Sequence, residues 1–248
     1  MNNYLIDAHC HLNKQELLND EQLLSFWNTH NFSLFINSVI NKSDLIIKHN
    51  KLQIRHIAGL HPYLFFEKKQ DFDLEDLFYM ASNGDIIGIG ECGLDKRFNN
   101  INDQISLFKE QVAIALEFNL PIVIHCVGKY YEIAKIIKDN FPKALILLHG
   151  FTGNKEIIQL FNKLNTYYSI SFRLFNKHLN IETLLNILKT EQYVFETDIE
   201  LNTFTDIDDV ISKYQQVNHF INYLSEFQNI DKILSIQSKS IKSIFNIL

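Results

Sequence analysis

Short apolar segments rich in β-branched residues recur along the whole chain, and amphipathic polar stretches separate most of them. The clearest helical stripe lies in residues 101–119, where Ile105, Phe108 and Val112 share one face. Regular alternation of strands and helices indicates parallel strands joined by crossover helices, and eight such units favour a closed (β/α)8 barrel. The predicted strands are residues 4–8, 33–40, 53–60, 85–89, 121–126, 144–149, 167–172 and 193–197.

The length of the chain fits one barrel of this type. Its 248 residues, 46% of them hydrophobic, are close to the ~250 residues of a TIM-type barrel, and no linker-like tract interrupts them. We expect a single domain over residues 1–248, in which residues 206–248 form two helices that cover the barrel end. Without a leader or a long apolar span, a cytoplasmic protein with no membrane contact and no obligate protein partner is expected.

Histidines and carboxylates stand near the carboxyl ends of five predicted strands. In the segment from Asp7 to His11, strand alternation predicts that Asp7, His9 and His11 point the same way. In such a barrel the carboxyl ends of all strands meet at one face, so polar residues distant in sequence converge there. A set of imidazoles and carboxylates is typical of hydrolytic metal sites. The six candidates are His9, His11, Glu91, His125, His149 and Asp198.

Two other interpretations of these segments are less favourable. Cys10, Cys92 and Cys126 each adjoin a candidate ligand, but alternation directs their thiols into the outer layer, where they serve as small hydrophobes. Residues 88–93 match the glycine pattern of a dinucleotide-binding turn. A carboxylate, Glu91, occupies the centre of that pattern, where phosphate would approach, so we expect the glycines to let the chain turn around Glu91.

The net charge restricts the kinds of nucleic-acid contact. A formal charge of −6 argues against a broad basic surface that holds nucleic acid through many phosphate contacts. It leaves a nucleic-acid substrate open, because two divalent cations would add about four positive charges to the cleft.

Six motifs, taken together and in order, resemble the TatD family of metal-dependent hydrolases within the amidohydrolase-like superfamily. They are IDAHCHL at 6–12, GLHP at 59–62, IGECGLD at 89–95, LPIVIH at 120–125, LHGFTG at 148–153 and FETD at 195–198. The resemblance covers nearly the whole chain. It implies a deoxyribonuclease that transiently binds DNA ends and cleaves phosphodiester bonds with a metal-activated water.

The resemblance also implies a binuclear site that holds two divalent ions, with zinc, manganese and magnesium as the candidates. His9, His11 and Asp198 would bind one ion, His125 and His149 would bind the other, and Glu91 would bridge them. Asp198 and Glu91 are the implied catalytic residues, with Asp198 orienting or deprotonating the attacking water. The residues expected around the substrate are His61, Asp95, Arg97 and Lys129.

The chain departs from the family pattern only outside the proposed ligands. Glu200 stands where proline is usual, Val127 replaces an arginine for which Lys129 is the nearest substitute, and Ser240 replaces an asparagine. Glu200 and the lost arginine favour a less anionic substrate. Hydrolysis of an ester or amide, such as the aminoacyl ester of transfer RNA, is therefore the alternative, and a non-catalytic barrel is the third hypothesis.

Overall fold

A computed structural model describes residues 5–171 and 181–247, and its strands form one parallel sheet in the order β1 to β8. Three residues of the predicted elements, Tyr4, Phe172 and Leu248, lie outside the described residues. The strands are β1 (Leu5–Cys10), β2 (Phe32–Val39), β3 (Gln53–Ala58), β4 (Ile89–Asp95), β5 (Ile122–Val127), β6 (Leu145–Leu148), β7 (Asn165–Ser171) and β8 (Tyr193–Glu196).

Helices follow most of the strands, as the alternation predicts. They are α1 (Gln15–Leu18), α2 (Glu21–Thr29), α3 (Leu74–Asn83), α4 (Ile101–Glu117), α5 (Tyr130–Asn140), α6 (Lys155–Phe161), α7 (Ile181–Thr190), α8 (Ile207–Leu224) and α9 (Ile230–Phe245). Short 3-10 helices cover Lys42–Ile46 and Leu201–Thr203. Among the described residues, no helix combines the length and apolar character needed to cross a membrane.

Backbone hydrogen bonds close the sheet into a barrel. The N–H of Asp198 donates to the carbonyl of His9 at 2.9 Å, and the N–H of His11 donates to Ile199 at 2.7 Å. Leu201 then donates to His11 at 3.0 Å, so the segment after β8 continues the ladder along β1. The predicted TIM-type barrel is confirmed, and its closure brings the end of β8 beside the end of β1.

The interior of the barrel is filled by small and branched side chains, including Ile36, Val123 and Val194. From α9, Ile244 and Phe245 pack against this inner cluster and close its base. Of the two helices predicted to cover the barrel end, only α9 therefore covers it. The other, α8, packs outside the strands, where its Tyr214 contacts Trp27 of α2. The three cysteines belong to the layer outside the strands, as predicted: Cys10, Cys92 and Cys126.

The fourth strand is displaced from its predicted position at residues 85–89, because β4 begins only at the last of these. Two of the glycines that suggested a turn, Gly90 and Gly93, lie inside the strand, and Gly88 precedes it. A Cβ at Gly90 would collide with the backbone of Val123, and one at Gly93 would collide with β5 in the same way. Glycine is thus required by the close approach of β5, and Glu91 lies within a strand, not after one.

Asp7 does not share the direction of the two histidines that follow it. The register between β1 and β2 shifts after Asp7, which breaks the alternation that predicted a common face. Its carboxylate accepts hydrogen bonds from the N–H of Thr197 at 2.9 Å and from the hydroxyl of Tyr214 at 3.2 Å. Burial raises the pKa of Asp7 to about 7. Asp7 therefore ties β1 to the end of β8 and to α8.

Removing the hydroxyl that α8 donates to this carboxylate tests its role in stability. We expect Tyr214→Phe to lower the free energy of unfolding by about 1.5 kcal/mol, because a buried acceptor loses a donor while the ring packing is kept. Urea unfolding at neutral pH measures the change. Tyr131→Phe, on a side chain that is 62% exposed, is the matched control, and an equal effect of both substitutions would contradict the assignment.

Candidate metal centre

The carboxylate of Glu91 lies at the centre of a cluster of imidazoles. Its Oε1 is 3.1 Å from Nε2 of His9 and 3.2 Å from Nε2 of His11. Its Oε2 is 3.4 Å from Nδ1 of His125 and 3.3 Å from Nε2 of His149. Each oxygen of one buried carboxylate thus faces a different pair of histidines.

Asp198 adds a second carboxylate to the cluster. Its Oδ1 is 3.8 Å from Nε2 of His11 and 4.0 Å from Nε2 of both His9 and His149. The residue lies two positions after the end of β8 and adopts a left-handed backbone with φ of 51°. Aspartate tolerates this conformation better than most side chains do. The structure therefore brings all six residues that the sequence singled out into one group.

Hydrogen bonds to the far nitrogens orient three of the rings. Nδ1 of His11 donates to the backbone carbonyl of Ser38 at 3.0 Å, and Nδ1 of His149 donates to Glu196 at 2.9 Å. His125 is held in the same manner through Nε2 by a carboxylate at the end of β4, at 3.2 Å. Because the far nitrogen is the donor in each ring, the near nitrogen of the neutral ring points an unshared electron pair at the centre.

The centre therefore concentrates acceptors that need a positive charge between them. A carboxylate accepts hydrogen bonds but donates none, and the near nitrogens of neutral imidazoles are acceptors as well. Protons or metal ions must therefore lie between Glu91 and the rings. The potential ligand atoms lie within 4.8 Å of one another in three groups: His9, His11 and Asp198; His9, Glu91 and His149; and His61, Glu91 and His125.

In the metal-free protein, protons supply part of this charge. Although burial lowers it, the pKa of His11 is raised to about 8 by Glu91 and Asp198. Burial also lowers the pKa of His149, but the charges of Glu196 and Glu91 outweigh this effect and raise that pKa to about 10. In turn, the surrounding imidazoles hold the pKa of Glu91 well below its usual range despite burial.

His61 lies beside the cluster with its ring oriented differently. Its Nδ1 accepts hydrogen bonds from the N–H groups of Tyr63 at 3.1 Å and Leu64 at 3.4 Å, so the proton resides on Nε2. That nitrogen is 4.0 Å from Oε2 of Glu91. Burial lowers the pKa of His61 to about 3, which leaves a neutral ring with an N–H directed toward the centre. His61 is thus arranged as a hydrogen-bond donor.

The other predicted substrate residues lie farther from the centre. Asp95 binds Nε2 of His125 and forms an ion pair with Arg97, whose side chain is 60% exposed. Although burial raises it, hydrogen bonds from His125 and Arg97 hold the pKa of Asp95 below its usual range. Lys129 pairs with Glu132 at 2.6 Å at the start of α5. These three predicted residues support neighbouring groups and do not line the cleft.

A cleft of about 460 Å³ opens above the cluster. It is lined by His11, Ile40, His61, Tyr63, Leu64, Lys69, Glu91, His125, His149, Asp198 and Glu200. Sequence reasoning missed Ser38, Glu196, Tyr63 and Lys69. Strand alternation offered a signal for Glu196, which precedes Asp198 by two residues, whereas Ser38 acts through its backbone carbonyl and leaves no mark in the sequence.

Comparisons with known proteins identify the family of this chain. The family model described as TatD related DNase matches residues 6–246. A "3'-5' ssDNA/RNA exonuclease TatD" from Shigella flexneri is 30% identical over 148 residues, which cover 57% of this chain and 56% of that relative. The match thus spans little more than half of the relative's length.

Two other proteins match along almost their entire length. An uncharacterized metal-dependent hydrolase, YabD of Bacillus subtilis, is 22% identical over 98% of this chain and 99% of its own. The crystal structure of YJJV, a TatD homolog from Escherichia coli, superposes with a TM-score of 0.76 at 20% identity and covers 98% of both chains. This structural likeness supports the barrel fold.

The balance of charge around Glu91 predicts a pH-dependent loss of stability in Glu91→Gln. In metal-free protein we expect a loss of about 3 kcal/mol at pH 6, because buried cationic imidazoles lose their counter-charge. A histidine whose pKa is raised on folding stabilises the folded protein fully at pH values below its ordinary pKa of 6.5. For His11 this contribution disappears as the pH rises through about 8. The loss should therefore be smaller at pH 9.

Urea unfolding in the presence of a chelator at both pH values measures this difference. Glu132→Gln is the control, because that carboxylate pairs with lysine at the surface and should cost less than about 0.5 kcal/mol at either pH. A loss in Glu91→Gln that is the same at pH 6 and pH 9 would show that the imidazoles do not depend on this carboxylate for their charge.

Proposed function

The chain belongs to the TatD related DNase family, and from this premise we propose that it is a metal-dependent nuclease that removes nucleotides from the ends of single-stranded DNA. The observation that carries the proposal is the buried carboxylate of Glu91, whose two oxygens face separate pairs of imidazoles. An acceptor-rich centre of this kind is suited to two cations. The name of the Shigella flexneri relative adds RNA as a second substrate to test.

Two divalent ions are proposed, one on each side of Glu91. His9, His11 and Asp198 would hold the first ion, His125 and His149 would hold the second, and both would share Glu91. Imidazole and carboxylate ligands together suit zinc or manganese better than calcium, and magnesium is the third candidate. Fixed ring orientations favour this assignment, because the near nitrogens of His11, His125 and His149 need no rearrangement to bind a cation.

When bound, the ions lower the pKa of water toward neutrality and polarise the phosphoryl oxygen. The chain supplies the remaining groups. Asp198, whose side chain is 22% exposed at the cleft, orients the attacking water and accepts its proton. The N–H of the neutral His61 ring donates to a phosphoryl oxygen as negative charge develops. Glu196 and Asp95 position His149 and His125 without touching substrate.

Loss of a proposed ligand should remove both metal and activity. We expect His9→Ala and Glu91→Ala each to reduce hydrolysis of single-stranded DNA by at least about 100-fold, with bound metal falling below one ion per chain. Metal analysis by mass spectrometry and a gel assay of end-labelled DNA measure these effects. His30→Ala serves as control, because His30 bonds to Phe26 on α2 outside the site.

A matched panel separates this activity from the alternative. Single-stranded DNA, RNA and aminoacyl-tRNA should be compared under one set of metal conditions. Selective hydrolysis of the aminoacyl ester would overturn the nuclease proposal, and in that case Glu200 in the cleft would explain the preference for a less anionic substrate. Unchanged cleavage of DNA by both ligand variants would overturn the mechanism.

Metal affinity should rise with pH. The proton that His11 carries below a pKa of about 8 must leave before its near nitrogen can bind a cation, and His149 carries its proton to still higher pH. We expect zinc affinity to increase from pH 6 to pH 8, with at least about one proton released per chain. Calorimetric titration in two buffers of different ionisation enthalpy measures the release. Affinity that is flat across this range would show that the metal does not bind at these imidazoles.

A further inference from the structure

Two aromatic rings stand stacked at one side of the cleft. The rings of Tyr63 and Phe98 are 4.5 Å apart between centroids, with an angle of 16° between their planes. Tyr63 follows β3 and lines the cleft, whereas Phe98 follows β4 and is not among the residues that line it. Both side chains are only half-buried. A large ring is thus held flat at the cleft wall by a second ring.

A cation lies at the hydroxyl edge of the Tyr63 ring, beside the cleft. The ammonium of Lys69 lies 4.6 Å from the ring centroid and also donates to the tyrosine hydroxyl. Lys69 lines the cleft while Phe98 does not, so the ammonium lies where a ligand in the cleft can reach it. Its side chain is exposed, and it is therefore free to move away.

We propose that Tyr63, supported by Phe98, stacks the nucleobase beside the scissile phosphate, and that Lys69 leaves the ring to pair with the neighbouring backbone phosphate. This subsite rests on the proposed nuclease function and deepens it. The exchange is favourable, because a base stacked on the aromatic ring contributes more than the exposed hydrogen bond that the ammonium gives up. The released ammonium then gains a phosphate partner.

The position of the ring relative to the centre fits one nucleotide. His61 links the two, with its ring centroid 6.3 Å from that of Tyr63 and its Nε2 4.0 Å from Glu91. A phosphate bound near Glu91 thus places the adjoining base within reach of Tyr63. Charge supports the same path, since Lys69 lines the wall after β3 and Glu200 lines the wall after β8.

Because a base in a duplex is already stacked and paired, this subsite takes an unpaired end. Every base has a flat face, so stacking here accepts a single strand with little regard to sequence. The subsite therefore distinguishes single-stranded ends from duplex ends and does not distinguish one base from another.

Removal of the Tyr63 ring and removal of the base should raise KM by the same factor. We expect Tyr63→Leu to raise KM for a single-stranded oligonucleotide about tenfold with little change in kcat. On an oligonucleotide whose two terminal residues lack bases, wild type should already show the raised KM, and Tyr63→Leu should change it no further. Tyr63→Phe keeps the ring and should stay within about twofold of wild type on the normal strand.

Matched variants exclude a general loss of folding. Tyr79→Leu, on a side chain that is 56% exposed on α3 outside the cleft, should leave both KM values unchanged. Phe98→Leu should raise KM only on the strand that carries bases, because Phe98 acts by holding Tyr63. Thermal unfolding of all variants in the presence of metal checks that each is folded.

The outcomes separate this inference from the proposed function. The stacking subsite is overturned if wild type cleaves the normal and the abasic strands with equal KM, or if Tyr63→Leu raises KM equally on both strands. The nuclease assignment stands in either case. If Tyr63→Phe loses as much as Tyr63→Leu, the hydroxyl and not the ring is responsible, and the subsite is again overturned. Failure of wild type to cleave any strand with zinc, manganese or magnesium overturns the nuclease function itself.

Discussion

The burial of one carboxylate among imidazoles is the constraint on which the site depends. Glu91 is withdrawn from water inside β4, where an unpaired charge would cost several kcal/mol. Its two oxygens are therefore each faced by a pair of histidine nitrogens at 3.1–3.4 Å. These oxygens and nitrogens are all acceptors, so they cannot bind one another without protons or cations between them. The burial of Glu91 among imidazoles therefore determines both the geometry of the site and its need for positive charge.

The barrel meets this constraint by placing strand ends together and then fixing each ring from behind. Backbone hydrogen bonds between β1 and the segment after β8 bring Asp198 beside His9. The far nitrogens of His11, His125 and His149 are held by a carbonyl of β2 and by carboxylates at the ends of β4 and β8. A displacement of any of these strands would therefore change the direction of an imidazole.

The sequence predicted the convergence of the six polar residues because strand ends of a parallel barrel must meet, whatever the details of each strand. It failed where neighbouring backbones decide the outcome. Gly90 looked like part of a turn, and only the close approach of Val123 shows that glycine is required inside a strand. The direction of Asp7 depended on a register shift that alternation cannot reveal. The pairing of Tyr63 with Phe98 joins two loops and had no local signal.

The cleft combines a centre that needs cations with walls of unequal charge, and this combination limits its substrates. Lys69 is the one described lysine or arginine among the residues that line it, whereas Asp198 and Glu200 line it as well. Attraction of a phosphodiester would therefore come mainly from the ions proposed for the centre, in keeping with a protein whose net charge is −6. In the proposed nuclease, a long phosphate backbone would add little binding energy. Most of it would come from one phosphate at the centre with a base beside it, which favours action at an end of the strand.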